Sequence, residues 1–216
     1  MDRISILCSY LEPCKTFADV ACDHGYCAEY MLKNNLCESA VIADISSKSL
    51  EKAKTLLSGY ISSGRCRAVC CDGLKGIDGS VGCVMIAGIG GDEIIKILSD
   101  GFIPQSFVFQ PMKNHSALRK FLVGRGCKLT ADDVFTDGKN YYFLIKGVRD
   151  GNNESYTEAA LKYGKDSLGN PVFRQYLQTE IDKKMVYLQR EMSRESRCII
   201  EDEIKYMQGV LSGENC

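Results

Sequence analysis

The sequence predicts an α/β protein in which a doubly wound, mostly parallel sheet is followed by a smaller helical domain. Short apolar runs alternate with helix-spaced segments through most of the chain, which is the order of βα units. Each early run stops at an acid or a glycine, as strands do at the sheet edge that holds ligands. The last quarter instead carries apolar residues at steps of three and four, typical of paired helices. With 216 residues, 45% of them hydrophobic, the chain can bury one substantial core.

The first half of the chain alternates strands and helices in a regular order. The strand segments are nearly continuous in apolar residues, which favours parallel strands buried on both faces. A serine at position 46 or 47 is a natural N-cap for a helix with Leu50, Ala53 and Leu57 on its inner face. The strands are expected at residues 16–21, 40–44, 67–71, 83–87 and 107–110, and the helices at 4–11, 25–34, 46–62, 92–98 and 116–123.

The pattern changes after the last of these helices. Residues 128–135 and 141–147 flank a polar, glycine-containing turn at 136–140, which predicts a β-hairpin. Alternating βα units closed by a hairpin are typical of a methyltransferase-type sheet with one antiparallel strand.

A polar stretch at 150–154 suggests a boundary between a domain of residues 1–150 and a helical domain of residues 151–216. Residues 156–163 have a helical pattern, and Pro171 is well placed to open the next helix. Two apolar seams follow, at 177–192 and 200–211, separated by a polar break. This pattern predicts an antiparallel, coiled-coil-like helical hairpin. One continuous helix stays open as the alternative, because the break contains no proline or glycine.

The composition limits the classes of partner and compartment. The formal net charge is −1, so a polyanion would have to bind to a local, positively charged patch of the surface. The 12 cysteines show no paired zinc-ligand spacing, and the two histidines have no ligand-spaced partner, so we expect no metal. No apolar run is long enough to span a bilayer. We therefore expect a cytoplasmic protein with reduced thiols and no membrane contact. The sequence leaves the oligomeric state open and slightly favours a monomer.

Acids follow the first three strands and define the expected ligand. Asp19, Asp44 and Asp72 stand at successive strand ends, with Asp23 in the first loop. A dinucleotide needs several glycines in that loop for its pyrophosphate, and only Gly25 is available. A sulfonium amino acid instead needs acids and carbonyls. The pattern thus favours S-adenosylmethionine, with Asp44 on the ribose and the Asp72-Gly73 turn on the adenine amino group. The alternatives are that Asp23 only caps a helix and that Asp72-Gly73 is an ordinary turn.

Two further loops are candidates for the methyl acceptor. Gly88, Gly90 and Gly91 leave the end of the fourth strand without side-chain bulk, so that a flat base can approach the methyl donor. The alternative is a tight turn into the next helix. After the fifth strand, Gln110 and Asn114 are placed to contact a base edge and Lys113 a phosphate, although Asn114 also suits a helix cap.

At these motifs the chain resembles a bacterial family of class I methyltransferases that methylate N1 of adenine 22 in tRNA. The family has an acid-rich first loop, Asp-x-Gly-Ser/Thr-Asp-His-Ala/Gly-Tyr, and the chain matches it over 19–26. It also matches at Asp72-Gly73, over 86–91 and at Gln110-Pro111, with a C-terminal helical coiled coil. The chain departs from the pattern at Ala21, Cys22 and Cys71, where the family has glycine, a hydroxyl residue and glycine.

The resemblance implies a Rossmann-like class I methyltransferase fold and tRNA adenine-N1 methylation. Asp23, or a carbonyl of the 88–91 loop, is expected to stabilise charge on the adenine. The expected cofactor contacts are Asp19, His24, Gly25, Asp44, Ile45, Asp72, Gly73, Ala87 and Gly88. The expected substrate contacts are Tyr26, Gly90, Gly91, Gln110, Lys113 and Asn114. Lysines and arginines expected to meet tRNA are Lys113, Arg119, Lys120, Lys183, Lys184 and Arg190. A methyltransferase for another base or a small molecule, and a non-catalytic cofactor- or RNA-binding module, remain alternatives.

Overall fold

A computed structural model describes residues 2–151 and 154–213, and its centre is a seven-stranded sheet in the order β3-β2-β1-β4-β5-β7-β6. The strands are β1 Cys14–Val20, β2 Cys37–Asp44, β3 Cys66–Cys70, β4 Cys83–Ile89, β5 Ser106–Pro111, β6 Cys127–Asp137 and β7 Asn140–Arg149. The helices are α1 Arg3–Ser9, α2 Tyr26–Lys33, α3 Ser47–Leu56, α4 Ser58–Ser62, α5 Gly91–Asp100, α6 His115–Gly124, α7 Glu158–Tyr163, α8 Pro171–Tyr187 and α9 Arg194–Ser212.

The topology confirms the predicted doubly wound sheet. Strands β1 to β5 pair in parallel, and β7 lies between β5 and β6, antiparallel to both. The strand order reverses between β1 and β4, which makes a crevice beyond their carboxyl ends. The register aligns Val20 with Ala43 on one side and with Ile86 on the other. The loops that follow β1, β2 and β4 therefore meet at one edge of the sheet.

Several element boundaries differ from the prediction. The expected helix at 46–62 is two helices, α3 and α4, which are separated at Leu57, directly before Ser58 and Gly59, two residues of lower helix propensity. The third strand lies one residue earlier than expected. The hairpin is longer and its turn tighter, since Asp137 pairs with Asn140 around Gly138, whose φ of 59° suits glycine.

The C-terminal seams form two helices that pack against each other and not one continuous helix. Arg174 of α8 donates to the carbonyl of Leu211, and Lys184 pairs with Glu203, so α8 and α9 run antiparallel. Their apolar residues share a buried cluster with Val134 of β6 and with β7. The predicted domain boundary at 150–154 remains a prediction, and its residues 152 and 153 lie outside the described ranges. No helix within those ranges is both long and apolar enough to cross a membrane.

The expectation that Arg119 contacts tRNA is wrong. The side chain is fully buried on the inner face of α6, where its Nε donates to both carboxylate oxygens of Asp132, at 2.9 and 2.8 Å. Its Nη1 donates to the carbonyl of Lys162 in α7 at 3.1 Å. A charge this deep needs a paired counter-charge, which β6 supplies. Arg119 therefore joins the sheet to the C-terminal helices.

The lysines of α8 face solvent but are already paired. Lys183 bonds Glu180 at 2.7 Å, one turn earlier on the same helix, and Lys184 pairs with Glu203 of α9. Lys120 and Arg190 are exposed, and the Arg190 guanidinium lies 4.5 Å from the ring centre of Tyr187. The positive charge that these helices offer a polyanion is thus partly neutralised.

Candidate active site

A cavity of about 490 Å³ opens at the crevice between the carboxyl ends of β1 and β4. It gathers side chains from the first loop, the end of β2, the end of β4 and the N-terminal helix. Its lining residues are Arg3, Ile4, Asp19, Ala21, Cys22, Asp23, His24, Tyr26, Cys27, Asp44, Ile45, Ala87, Gly88, Ile89 and Met112. Most of the expected cofactor contacts, which lie far apart in sequence, therefore line one cavity.

Asp19 is the buried carboxylate of this cavity. Its side chain is almost fully enclosed, and Oδ2 accepts a hydrogen bond from the Ala28 amide at 3.2 Å. Burial raises the pKa of Asp19 to about 7, because the charged form loses its hydration. An acid in this state gains most from a cationic ligand, since a positive charge replaces the missing solvation.

Asp44 fixes the first loop against the second strand. Its carboxylate accepts from the Ser46 amide at 2.8 Å and from the Asp23 amide at 3.2 Å. Each oxygen retains a further lone pair that can accept a hydroxyl proton. Asp44 thus lines the cavity and also holds the first loop in place beside it.

Asp23 does not cap α2. Gly25 occupies the N-cap position, with φ 74°, and no side chain bonds to the cap. The Asp23 side chain is 56% exposed, and its Oδ1 accepts from Lys52 Nζ at 3.0 Å. Its Oδ2 lies 3.5 Å from His24 Nε2, too far for a strong hydrogen bond. One carboxylate oxygen therefore remains open to a ligand in the cavity.

The first loop is tight and strained. Asp23 and Ala21 have φ of 43° and 57°, in the left-handed region that L-residues other than glycine rarely adopt. At Ala21, where the resembling family has glycine, this conformation costs about 1–2 kcal/mol. Gly25 is also required by packing, because a Cβ there would lie 3.0 Å from the Ala53 Cβ. The first loop thus forms a tight turn even though Ala21 replaces the glycine of the resembling family.

Large side chains with exposed apolar surface rim the cavity. Tyr26 is 46% exposed and stacks on His24, with ring centres 5.3 Å apart and planes 7° from parallel. Ile45 and Met112 are also exposed, at 71% and 49%. Flat rings bind well to such surfaces. The sequence motifs indicated Tyr26 and Ile45, whereas Met112 was missed because nothing in its local pattern separates it from a loop residue.

A smaller cavity of about 230 Å³ lies beside the first and shares Ala21, Asp44, Ile45 and Ile89 with it. It contains Asp72 and Gly73, the two residues expected to contact the adenine of the cofactor. Asp72 pairs with Lys75 at 2.8 Å on the surface. Gly73 has φ 63°, and a Cβ there would lie 2.8 Å from Ile97, so both backbone and packing require glycine.

The two loops on the acceptor side are joined through their backbones. The Gly91 amide donates to the Lys113 carbonyl, and the Met112 amide to the Ile89 carbonyl, both at 2.8 Å. A Cβ on Gly91 would lie 2.6 Å from the Asn114 carbonyl oxygen, so this glycine permits the close approach. Gly90 is the N-cap of α5, which agrees with the tight turn that was the alternative. Gly88, with φ 81°, is the exposed glycine of the loop.

The expected contact between Gln110 and a base edge is not available in this arrangement. Gln110 is fully buried, its Oε1 accepts from Arg3 at 3.1 Å, and its Nε2 donates to the Pro111 carbonyl at 3.0 Å. Asn114 bonds the carboxylate of Asp92, and Lys113 is exposed, 3.8 Å from a carboxylate oxygen of Glu93. Of the three residues, Lys113 is the one placed to meet a phosphate.

Arg3 is a site residue that the sequence did not indicate. It lies in α1, and its guanidinium lines the cavity next to Gly88. A Cβ added to Gly88 would lie 3.6 Å from the Arg3 Nη1. Its amide donates to Asp137, and its guanidinium lies 5.6 Å from the ring centre of Tyr142. These partners are more than 100 residues away in sequence, so no local signal reveals this placement.

Comparison with known proteins gives consistent matches. The family model described as a methyltransferase domain matches residues 1–145. A Mycoplasma pneumoniae protein named as a tRNA methyltransferase is 32% identical over 141 residues, which cover 62% of this chain and 63% of that protein. The chain therefore spans less than two thirds of this curated relative.

Two solved structures align over nearly the whole chain. TrmK of M. capricolum, in complex with S-adenosyl-homocysteine, has a TM-score of 0.89 at 20% identity and covers 97% of this chain and 96% of its own. The M1A22 tRNA methyltransferase TrmK of B. subtilis has a TM-score of 0.83 at 19% identity and covers 97% of both chains. These likenesses establish the fold, with the C-terminal helices included. The family model matches more than half of the chain, so the chain belongs to the methyltransferase-domain family.

Proposed function

We propose that this protein transfers a methyl group from S-adenosylmethionine to N1 of an adenine in tRNA, with adenine 22 as the first candidate. The proposal rests on two carboxylates that line one cavity. Asp19 is buried, and Asp44 lies beside it at the end of the adjacent parallel strand. The similar proteins, which are named as tRNA methyltransferases and include TrmK in complex with S-adenosyl-homocysteine, support the same function.

The residues of the cavity fit this cofactor. Asp19 is a buried acid that a cationic ammonium or sulfonium stabilises, and Asp44 has free lone pairs for ribose hydroxyls. Ile45 offers an apolar surface to the adenine, and Asp72 lies in the adjoining cavity near the expected amino group. Arg3 brings a guanidinium suited to the methionyl carboxylate. When bound, the cofactor supplies an electrophilic methyl group.

The protein's contribution to the reaction is mainly positioning. N1 of adenine carries a lone pair on its Watson–Crick edge, so the base must be unpaired or flipped before it can react. A neutral ring nitrogen needs no strong base, and correct placement dominates the rate. Positive charge then develops on the ring and its amino group. The open Oδ2 of Asp23 is placed to accept an amino proton in a hydrogen bond and to stabilise that charge. Tyr26 is the expected stacking partner of the base.

The direct test is incubation of the protein with unmodified tRNA and S-adenosylmethionine, followed by nucleoside mass spectrometry. We expect 1-methyladenosine, and we expect it to disappear when adenine 22 is replaced by another base. Cofactor binding in calorimetry without methylation of tRNA would favour a different methyl acceptor. If the cofactor gave no heat of binding, a non-catalytic RNA-binding module would be the better description.

Cofactor affinity is expected to rise with pH through the titration of Asp19. Its pKa is raised to about 7 in the cofactor-free protein, so the carboxyl is mostly neutral at pH 6 and mostly ionised at pH 8. A cationic ligand binds the ionised form, which makes binding roughly tenfold tighter at pH 8 than at pH 6. Calorimetry across this range measures the dissociation constant.

The Asp19→Asn variant is the control, because it lacks the carboxylate that titrates. Any change in the protonation of the ligand itself affects the wild type and the variant equally. We expect its affinity to be weaker and its pH dependence flatter.

The raised pKa of Asp19 has the opposite effect on stability, since the folded state holds a proton that the unfolded state has lost. The free energy of unfolding should therefore fall as pH rises from about 4 to 7. Identical pH profiles for the wild type and the variant would contradict this role of Asp19.

A further inference from the structure

A further cavity, of about 540 Å³, lies between α1 and α2, next to the active-site cavity. We call it the N-terminal groove, and its lining residues are Asp2, Ile4, Ser5, Cys8, Tyr26, Glu29, Tyr30, Lys33 and Asn34. It shares Ile4 and Tyr26 with the active-site cavity. The groove is therefore continuous with the place where the methyl acceptor is expected.

The chemistry of the groove suits a flat ring that carries hydrogen-bond donors. Ile4 and Cys8 give it an apolar floor, and Tyr26 and Tyr30 provide aromatic rings. Among the described residues, the Glu29 carboxylate has no hydrogen-bond or ion-pair partner, and the Tyr30 hydroxyl has no hydrogen-bond partner. Asp2 differs, because both of its oxygens already accept from Ser5, at 3.0 and 2.7 Å. Of the two carboxylates, Glu29 is thus the one with no partner among the described residues.

The charge of the groove argues against a phosphate on its floor. Its two carboxylates, Asp2 and Glu29, outnumber its one lysine, Lys33, which stands at the far end of α2. An acidic, aromatic surface instead matches an unpaired nucleobase with an exocyclic amino group, since aromatic rings stack on the base face and a carboxylate accepts from the amine. Lys33 is exposed and remains available for a neighbouring backbone phosphate.

We propose that the N-terminal groove binds a second unpaired base of the RNA, adjacent in sequence to the methylated adenosine. This inference rests on the proposed function, because it takes tRNA as the substrate. The shared wall at Ile4 and Tyr26 lets one strand place the target base in the active site and the next base in the groove. Tyr30 stacks on that second base, and Glu29 accepts its amino proton.

The test compares kcat/KM for tRNA in the wild type and in Tyr30→Ala. Loss of a stacking ring should lower kcat/KM about tenfold, mainly through KM. Tyr30→Phe keeps the ring and should remain close to the wild type. Tyr60→Ala is the matched control, because Tyr60 is also a half-buried tyrosine packed on the same core cluster and lines none of the cavities described here. Calorimetry should give unchanged cofactor affinity for every variant.

A double-mutant cycle identifies the partner base. In RNAs with an abasic site on either side of the target adenosine, Tyr30→Ala should lose its effect for one of the two positions. Equal effects of Tyr30→Ala on intact and abasic RNAs, or no effect on either, would contradict the binding of a base in the groove. If Tyr30→Ala fails to fold, Glu29→Gln replaces it, with an expected loss of about fivefold. An inactive wild type would overturn the proposed function and the groove with it, whereas an active wild type with unaffected variants would overturn the groove alone.

Discussion

Replacement of Asp23 by alanine is expected to lower methyl transfer to tRNA by at least about a hundredfold, the scale of losing one preorganised group at a site of developing charge. The carboxylate lines the active-site cavity, and Lys52 occupies only one of its oxygens. The other is free to accept from the adenine amino group as positive charge develops. Asp23→Asn keeps an acceptor but lacks the charge, so its activity should fall between those of the wild type and the alanine variant.

The fold should persist in Asp23→Ala, because its ion pair with Lys52 and its longer contact with His24 are exposed and contribute little to stability. Glu51→Ala is the matched control, since Glu51 forms an exposed ion pair with Lys54 and lines none of the cavities described above. The measurements are single-turnover rates with saturating tRNA, cofactor affinity by calorimetry, and circular dichroism. A rate close to the wild type in Asp23→Ala would exclude the catalytic role, and a carbonyl of the Gly88 loop would then be the remaining candidate.

Arg119→Met is expected to lower the free energy of unfolding by about 3–5 kcal/mol, the usual result of leaving one partner of a buried ion pair without the other. The variant leaves the Asp132 carboxylate fully buried and removes the bond to the Lys162 carbonyl. Burial already raises the pKa of Asp132, and Arg119 opposes that shift. Loss of Arg119 should raise the pKa further, so the destabilisation should grow as pH rises. Urea unfolding at several pH values measures both effects.

Two further variants separate the ion pair from general damage to α6. Lys120→Met changes the exposed neighbour of Arg119 on the same helix and should alter stability by less than about 0.5 kcal/mol. The double variant Arg119→Met with Asp132→Leu removes both charges and should recover part of the loss. If Arg119→Met were as mild as Lys120→Met, the pair would not be what joins the C-terminal helices to the sheet.

The order of strands and helices, and the edge of the sheet that carries the site, could be read from the sequence. Near-continuous apolar runs that stop at Asp19, Asp44 and Gly88 indicate parallel strands, and parallel strands bring their carboxyl ends to one edge. The helical seams likewise predicted the pairing of α8 with α9, because periodicity of three and four residues is local information.

The roles of Arg119, Gln110 and Arg3 were decided by the tertiary structure alone. Arg119 and Gln110 read as surface residues, yet Arg119 meets Asp132 and Gln110 meets Arg3 inside the protein. Arg3 enters the cavity because α1 packs beside α2 and reaches strands more than 100 residues away. Periodicity tells which residues share a face of a helix or strand, but the burial of Arg119 and Gln110 depends on partners that lie on other elements of the fold. The sequence by itself therefore determined the scaffold and the acids of the site, and the long-range packing decided which cations remain available to a ligand.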